Sequence, residues 1–362
     1  MNCEVKINNK SYNLICLEPK IVKSDKITFI DSVKPPKYRL WSFRYEFIKY
    51  YKAYNQRVQT YINNEINNCP FCDYKDNENK IYYNLDNKLC WGSLTYHLMK
   101  AHNYEPKNKF IKFILSLSNI YFFKMELNDL ILFDGLMNSG GRTKKFKYSQ
   151  ISQNKEIVEK KKEYIYSEYS GYLDIQCKNK NCKIENIEIS NFRRPEPDIY
   201  MVNFYSNRLS NKQYIFHTHP PTPNAGSRIQ TERIVYEFPS FDDINSFIDL
   251  KRDFKIEGEL IFAPEGIYVL TSKDRKKQTP KLKFKEKREY MNVLNDAYYN
   301  YHKIDNEHDF YIKPAQDFKY IKAINKLLAN YNIKVLYFPK ELSYDYKWIY
   351  GKIYLPINIE KN

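Results

Sequence analysis

Long apolar runs are missing from this sequence of 362 residues. No stretch reaches the ~18 consecutive apolar residues of a membrane span, and the N-terminal residues lack the apolar core of a signal peptide. The seven cysteines are an odd number, which does not suit a framework of disulfides. We therefore predict an intracellular protein, cytoplasmic or nuclear, without a membrane anchor, whose cysteines bind metal rather than form disulfides.

Glycine and alanine are scarce as well, whereas lysine, asparagine, isoleucine and tyrosine are abundant. This bias is typical of AT-rich coding DNA and suits the product of a large DNA virus, so the many tyrosines are not themselves a functional signal. No internal repeat or coiled coil is evident. An apolar content of 43% excludes a mainly disordered chain, and the length predicts two or three domains.

Acidic residues are outnumbered: 59 lysines and arginines against 43 aspartates and glutamates give a net charge of +16. The basic residues are spread along the sequence, with denser runs at 144–147, 160–162 and 275–277. Such a charge makes polyanions and acidic protein surfaces candidate partners, although a run of charge is more often a solvated face. Nucleic acid is thus a candidate partner through the basic surface.

Histidine is also rare, and two of the six histidines form the sequence His217-Thr218-His219 after the apolar run 214–216. Residues two apart in a strand point to the same face, so both imidazoles can bind one ion. Downstream, Ser240 and Asp243 begin a segment with helical spacing of apolar residues. Two histidines and one carboxylate leave a fourth zinc position open to water, as in catalytic rather than structural sites.

The spacing of Ser240 and Asp243 also fits a capping box, in which both side chains bond the free amides at a helix start. Taken alone, the cap is the commoner meaning of this spacing, and a single His-x-His is a weak metal signal. The two patterns together, in a sequence with so few histidines, favour a metal site. Asp242 is the competing carboxylate ligand.

These motifs resemble the JAMM (MPN-plus) metalloproteases, whose pattern is an upstream Glu, then His-x-His, then Ser-x-x-Asp. Glu168, with Gly171 and Leu173 after it, matches the upstream element, and 260–270 is similar to the closing hairpin of the family. The resemblance covers about a third of the chain. One departure is the spacer 220–239 between the two motifs, whose 20 residues exceed the usual length in the family.

The resemblance implies a zinc-dependent isopeptidase that cleaves ubiquitin or ubiquitin-like modifiers from lysine side chains, with a water molecule activated by zinc as the nucleophile. His217, His219 and Asp243 would hold the catalytic zinc. Glu168 would act as general base and Ser240 would donate to the developing oxyanion. Three other carboxylates lie near Glu168 in the sequence and are alternatives for the base: Glu163, Glu188 and Glu196.

A second metal-binding pattern lies nearer the N-terminus. Cys69 and Cys72 are followed by His97 and His102, a set that resembles a Cys2His2 zinc finger. The 24 residues between the two pairs exceed the usual spacing of about 12, and we expect the extra polar residues to form a loop. We predict a structural zinc here, with Cys90 as reserve ligand. A lone finger covers about three base pairs, which favours a structural or protein-docking role over DNA reading.

The predicted fold class is α+β. A mostly helical N-terminal domain, 1–140, would contain the zinc finger at 69–102. An MPN-like mixed sheet flanked by helices would span 155–275, and 276–362 would be a helical elaboration. Two finer predictions concern single patterns: the aromatic residues at 43, 47, 51 and 54 form a buried helix stripe, and Cys177 and Cys182 flank a hairpin as free thiols.

Two other functions are compatible with the sequence. One is a non-catalytic MPN-like scaffold or structural protein, for example of a virion. The other is a basic nucleic-acid-binding protein in which the finger and the lysines carry the function, and it would show a steep salt dependence. Two zinc ions per chain suit the isopeptidase, whereas one ion suits the alternatives better. The related base-deaminase chemistry is disfavoured, because it needs His-x-Glu followed by Pro-Cys-x-x-Cys, and neither the residue types nor their order fit. The sequence does not fix the oligomeric state.

Overall fold

The computed structural model describes most of the chain, namely residues 2–7, 10–16, 41–62, 67–69, 71–118, 120–139, 168–178, 181–189, 214–219, 235–274, 277, 279–304, 306–343 and 345–357. Helices and strands alternate in a mixed α+β fold, which confirms the predicted class at this level. The chain divides into two compact units: Met1–Phe122 with Glu341–Asp345 and Ile359–Asn362, and Phe123–Lys340 with Tyr346–Asn358. Within the described ranges, no helix has the length and apolar character needed to cross a membrane.

The elements up to residue 116 are β1 (Asn2–Ile7), β2 (Lys10–Cys16), α1 (Arg44–Asn55), β3 (Gln59–Ile62), β4 (Asn67–Asn68), β5 (Lys75–Asp76), β6 (Lys80–Asn84), β7 (Leu89–Gly92), α2 (Leu94–His102) and α3 (Asn108–Ser116). Those that follow are β8 (Tyr121–Met125), α4 (Leu127–Ser139), β9 (Ser170–Lys178), β10 (Asn181–Ile189), β11 (Tyr214–Thr218), α5 (Phe241–Phe254), β12 (Gly258–Ala263), β13 (Gly266–Ser272), α6 (Phe284–Tyr301), α7 (Glu307–Ile312), α8 (Lys319–Leu327), β14 (Ile333–Pro339), β15 (Glu341–Leu342), β16 (Trp348–Ile349) and β17 (Ile353–Ile357).

The first unit is built on a five-stranded sheet in the order β1-β2-β7-β6-β3. Its strands are antiparallel except for the parallel pair β2 and β7. The predicted aromatic stripe lies on α1, where Phe47, Tyr51 and Tyr54 are buried just after buried Phe43. Phe47 and Tyr51 both contact the ring of Phe110 on α3, with centroids 6.2 Å apart in each case. The stripe is therefore core, as predicted.

The N-terminal part is not mostly helical, because this sheet accompanies its three described helices. The segment between the cysteine and histidine pairs is also more ordered than the expected polar loop. It contains β5, β6 and the entirely buried strand β7. The extra length of the finger is thus used to add two strands to the sheet of the first unit.

The second unit contains a six-stranded sheet in the order β10-β9-β11-β12-β13-β14. Neighbouring strands are antiparallel except for β11 and β12, which run parallel with Tyr214 opposite Gly258. A parallel pair needs a crossover, and α5 provides it between these two strands. This connection places the first turn of α5 near the carboxyl end of β11, where side chains of parallel sheets commonly meet a ligand.

Helices cover both faces of this sheet. On one face, Phe133 of α4 stacks on Phe262 of β12 with centroids 4.2 Å apart and contacts Phe216 of β11 edge-on at 4.9 Å. The residues of β11 that alternate with Phe216 face the other side, where Ile215 belongs to a core shared with Ile244 of α5. His217 therefore lies on the same face of the sheet as Ile215, which is the face that α5 covers.

Most of the C-terminal segment predicted as a helical elaboration belongs to the second unit, and its strand β14 belongs to the six-stranded sheet. β14 pairs with β13 along its whole length, from Ile333 opposite Ser272 to Pro339 opposite Gly266. Buried tyrosines from this segment donate hydrogen bonds to carbonyl oxygens of the β12–β13 turn: Tyr350 to Ala263 at 2.9 Å and Tyr311 to Pro264 at 3.0 Å. The segment 276–362 thus contains strands that complete the sheet, not helices alone.

The hairpin of β9 and β10 forms as predicted, but its cysteines are not free thiols. Cys177 and Cys182 are direct cross-strand partners and are joined by a disulfide. The prediction of unpaired thiols is wrong because it treated the two positions as loop residues, whereas the register brings them face to face. The prediction that the cysteines bind metal rather than form disulfides is therefore wrong for this pair.

Candidate metal centres

The first metal centre consists of the four predicted finger residues. Cys69 and Cys72 lie on the turn after β4, and His97 and His102 lie on α2, five residues apart. Each sulfur lies near an imidazole: Cys69 Sγ is 3.2 Å from His102 Nε2, and Cys72 Sγ is 3.3 Å from His97 Nε2. The two Nε2 atoms are 3.1 Å apart. A tetrahedral zinc ion with ordinary bond lengths holds such atoms about 3.3–3.6 Å apart, so the four side chains fit zinc.

Aromatic rings flank both imidazoles of this centre. The ring of Tyr74 stacks on His97 with centroids 3.9 Å apart, and Phe71 lies 5.2 Å from His102. Burial lowers the pKa of His97, which favours the neutral imidazole that binds metal. Burial also raises the pKa of the Cys69 thiol, so its thiolate needs a cation beside it. The pKa shift of His97 thus favours metal binding by itself, whereas Cys69 becomes a ligand only with the cation in place.

Two residues near the first centre, Ser93 and Cys90, are not ligands. Ser93 precedes α2 but makes no capping hydrogen bond, and its hydroxyl instead donates to the buried carboxylate of Asp76. The same hydroxyl accepts a hydrogen bond from the Lys80 amide at 3.0 Å, which ties β5, β6 and α2 together. Cys90 is buried in β7, outside the cluster, so it is not a ligand in this arrangement.

Replacing Cys69 with serine should release the zinc of the first centre and destabilise the first unit, while metal binding by the second centre persists. A zinc ion held by four protein ligands contributes its binding free energy directly to folding. Metal analysis and thermal unfolding test this, with Cys90→Ala as the matched control that keeps its zinc. Unchanged zinc content and thermal stability in Cys69→Ser would contradict the structural role of this centre.

The second metal centre brings together His217, His219 and Asp243, which the sequence patterns predicted as one ligand set. The two Nε2 atoms are 3.0 Å apart, and the Asp243 Oδ2 lies 3.7 Å from His217 Nε2 and 3.5 Å from His219 Nε2. These separations are near the roughly 3.4 Å between nitrogen and oxygen ligands of a tetrahedral zinc ion. A set of two histidines and one carboxylate, with a fourth position left for water, is a catalytic type of site.

Asp243 is both a helix cap and a candidate ligand. Its amide donates to Ser240 Oγ at 3.0 Å, and its Oδ2 accepts from the Ser240 amide at 2.5 Å, so the predicted capping box is present. A carboxylate has about four lone-pair sites, which leaves room for a metal as well. The cap and the ligand interpretations are thus compatible, because the box fixes Asp243 where it faces both imidazoles. Asp242 does not belong to the cluster.

Both imidazoles direct Nε2 towards the centre because their Nδ1 atoms are hydrogen-bonded to oxygen atoms outside the centre. His217 Nδ1 lies 2.9 Å from Glu259 Oε1, and His219 Nδ1 lies 3.0 Å from the carbonyl oxygen of Glu237. A carbonyl or carboxylate oxygen only accepts here, so each Nδ1 carries the proton and each Nε2 is left to bind metal. This outer support is typical of metal-ligating histidines.

Glu259 is the clearest sign that a cation belongs in the second centre. It lies in the apolar strand β12, is 4% exposed, and its Oε2 has no hydrogen-bond partner among the described residues. Burial raises the pKa of Glu259, since a buried carboxylate is costly without compensation. A metal on Nε2 of His217 makes Nδ1–H a stronger donor and offsets that cost. The buried acid therefore fits zinc at the centre.

The charges of the centre act strongly on one another. Burial alone would lower the pKa of His219, but Asp243 and Glu168 outweigh it and raise the pKa to about 9. Burial would raise the pKa of Asp243, yet the two imidazoles hold it well below its usual range. At neutral pH the metal-free centre thus holds protons on histidine that zinc must displace, so zinc binding releases protons and weakens as the pH falls.

Glu168 lies immediately before β9, the strand that pairs antiparallel with β11. It is exposed, and its charge raises the pKa of His219, so the carboxylate acts on the metal centre. The register fixes this position: Thr218 donates its amide proton to the Tyr169 carbonyl and accepts from the Tyr169 amide with its hydroxyl, both at 2.9 Å.

The other predicted bases and the oxyanion donor have clear positions where the structure describes them. Glu188 lies on β10, accepts a hydrogen bond from Tyr172 and is not part of the metal cluster, and Glu163 and Glu196 lie outside the described residues. Ser240 is exposed at the start of α5. The Ser240 hydroxyl accepts a hydrogen bond from the Asp243 amide. Among the described residues, no acceptor is seen for the hydroxyl proton of Ser240. That proton is available to a substrate oxygen.

Comparisons with known proteins leave the family open. No protein-family model matches the chain, and no solved structure matches it. The chain is similar to an uncharacterized protein, R413, of Acanthamoeba polyphaga mimivirus, at 28% identity over 325 residues, which cover 79% of this chain and 85% of the relative. A viral relative is consistent with the predicted viral origin. Since the name of that relative states no activity, a function has to be argued from the two metal centres.

Proposed function

We propose that the protein is a zinc-dependent isopeptidase of the JAMM type, which cleaves ubiquitin or a ubiquitin-like modifier from a lysine side chain. The observation that carries the proposal is the meeting of three sequence motifs at one end of β11. His217 and His219 come from this strand, Asp243 from the crossover helix, and Glu168 from the entry to the neighbouring strand. A metal site alone would need only the first two motifs, the His-x-His pair and the aspartate. Hydrolysis also needs the third motif, which supplies the glutamate.

Zinc held by these three ligands would polarise the scissile carbonyl and lower the pKa of a water molecule towards about 7. Glu168, which is exposed to solvent and whose charge raises the pKa of His219, takes the proton of the attacking water and returns it to the leaving lysine amine. Ser240 donates its hydroxyl proton to the carbonyl oxygen as negative charge develops there. Glu259 and the Glu237 carbonyl keep both imidazoles in the tautomer that binds metal.

The mixed sheet supports an MPN-like fold for this unit. The His-x-His strand runs parallel to β12 and antiparallel to β9, and β12 and β13 form the hairpin that resembles the closing hairpin of the family. Gly171 matches the glycine of the upstream motif for a steric reason. A Cβ atom there would lie 1.9 Å from the carbonyl oxygen of Glu188. The motif residues thus have structural reasons to be where the resemblance expects them.

Hydrolysis of lysine-linked diubiquitin by the full chain tests the proposal. We expect cleavage that stops when a chelator removes zinc and returns when zinc is added back. A second substrate in which the modifier is joined through a peptide bond to an α-amine separates isopeptidase from general peptidase activity. Absence of cleavage of any ubiquitin-like conjugate, with two zinc ions bound per chain, would contradict the proposal and favour the scaffold function. Salt-sensitive nucleic-acid binding without hydrolysis would favour the third function.

A further inference from the structure

Glu265 is a buried carboxylate that the proposed chemistry does not use. It lies on the turn between β12 and β13 and is only 1% exposed. Its Oε1 accepts two hydrogen bonds, from the Glu237 amide at 2.7 Å and from the Tyr268 hydroxyl at 2.5 Å. Its Oε2 has no hydrogen-bond partner among the described residues. A buried carboxylate of this kind costs stability, so its retention needs a reason.

The turn that carries Glu265 is held rigidly. Two of its carbonyl oxygens each accept a hydrogen bond from a buried tyrosine: Ala263 from Tyr350 and Pro264 from Tyr311. The Lys340 amide also donates to the Glu265 carbonyl at 3.0 Å. The Glu265 side chain therefore extends from a fixed platform.

The segment that Glu265 holds is the one behind the metal ligand His219. Residues 235–240 form neither helix nor strand, so their amides depend on side chains for partners. Tyr236 anchors the segment before Glu237 by donating to the Pro314 carbonyl at 2.7 Å, and Tyr290 anchors it afterwards by donating to the Pro239 carbonyl. Glu265 holds Glu237 itself, whose carbonyl accepts from His219 Nδ1.

We propose that Glu265 is a positioning residue of the second metal centre, which sets the orientation of His219 through the backbone of Glu237. The two histidines are then supported in different ways: Glu259 contacts His217 directly, whereas Glu265 acts on His219 through one residue of main chain. The proposal rests on the zinc centre of the proposed function, and it concerns metal binding rather than the identity of the substrate.

The positioning of His219 depends on the length of the Glu265 side chain rather than on its charge. Burial raises the pKa of Glu265 to about 7. Both donors bond to Oε1, so they stay in place whether or not Oε2 carries a proton. Glutamine offers a carbonyl oxygen at the same distance from the backbone, whereas aspartate keeps the charge but is one methylene shorter.

The test compares Glu265→Asp with Glu265→Gln in the full chain with its finger loaded. Zinc affinity of the second centre is measured by competition with a chromophoric chelator at neutral pH. We expect Glu265→Asp to weaken zinc binding by roughly 10–100-fold, the usual range for outer partners of metal ligands, and Glu265→Gln to remain near the parent. Glu259→Gln serves as the reference for a direct partner of a ligand. If Glu265→Asp does not fold, Glu265→Ala removes the same acceptor.

Tyr268→Phe is the matched control, because it removes the other hydrogen bond to Oε1 and leaves the Glu237 link intact. It should lower thermal stability but keep zinc affinity, and the ¹⁵N signals of the His219 ring should shift only in Glu265→Asp. Equal zinc affinity in all variants, with hydrolysis intact, would overturn the positioning role alone. Weak binding by Glu265→Gln but not by Glu265→Asp would overturn it in favour of charge. A parent without a second zinc ion would overturn this inference and the proposed function together.

Discussion

Replacement of Glu168 by glutamine is expected to lower the rate of isopeptide hydrolysis by about two to four powers of ten, the range for removal of a general base. We expect the upper part of the range, because in the proposed reaction the same carboxylate also returns the proton to the leaving amine. Glutamine keeps the size of the side chain but cannot take a proton. Glu168 is exposed and is not among the three ligands, so zinc content and folding should be unchanged. Single-turnover hydrolysis at saturating enzyme measures the effect.

Glu188→Gln is the matched control for this variant. It makes the same chemical change on β10, where the side chain accepts a hydrogen bond from Tyr172 and lies outside the metal cluster. This control should hydrolyse at the parent rate. The Glu168→Gln protein should still bind its substrate and can trap it for identification. Hydrolysis by Glu168→Gln at the parent rate would refute the assignment of the base.

Joint replacement of His217 and His219 by alanine should remove one of two zinc equivalents and abolish hydrolysis. The two ligand sets belong to different units of the chain, so the finger should keep its zinc. Removal of His217 also leaves the buried carboxylate of Glu259 without its imidazole partner, which should destabilise the second unit. Metal analysis of the purified variant, together with thermal unfolding, measures both effects.

The single variant His219→Ala covers the case in which the double variant does not fold, since it retains the pair of His217 and Glu259. His302→Ala with His308→Ala is the matched control, because these two histidines lie outside both clusters. The control should keep two zinc equivalents and full activity. Two zinc ions in the double variant would disprove the second centre.

Ligands that lie close together in the sequence could be predicted, because local geometry determines their positions. The period of two along a strand places His217 and His219 on one face, and the capping box fixes Asp243 in the first turn of α5. The finger residues follow the same logic, since one turn carries both cysteines and α2 carries both histidines.

The outer residues could not be predicted, because sheet register rather than sequence spacing brings them to the centre. Glu259 meets His217 only once β11 and β12 pair in parallel, and Glu265 meets Glu237 only once the segment 235–240 packs against the β12–β13 turn. A signal was available for Glu259: it is the second residue of a strand whose other residues are apolar apart from glycine. For Glu265, a turn position gave no reason to expect burial.

Long-range pairing also explains the incorrect predictions. β2 joins β7 across more than seventy residues, so the sheet of the first unit leaves little local trace. The polar segment after Cys72 seemed to be a loop because half of β6 is only partly buried. Cys177 and Cys182 similarly depended on the register of their hairpin.

The strand order of the second unit determines how the chain can be divided. The resemblance ends near residue 275, but a fragment that stops there lacks β14 and leaves β13 as the last strand of the sheet. The first five residues of β13 are buried and apolar in the full chain. Without β14, their unpaired amides and carbonyls would form an exposed, apolar edge strand that favours self-association. The smallest fragment with a complete sheet therefore has to run from β8 through β17, because α4 covers one face of the sheet and β17 pairs with β8. A shorter fragment should aggregate rather than report on activity.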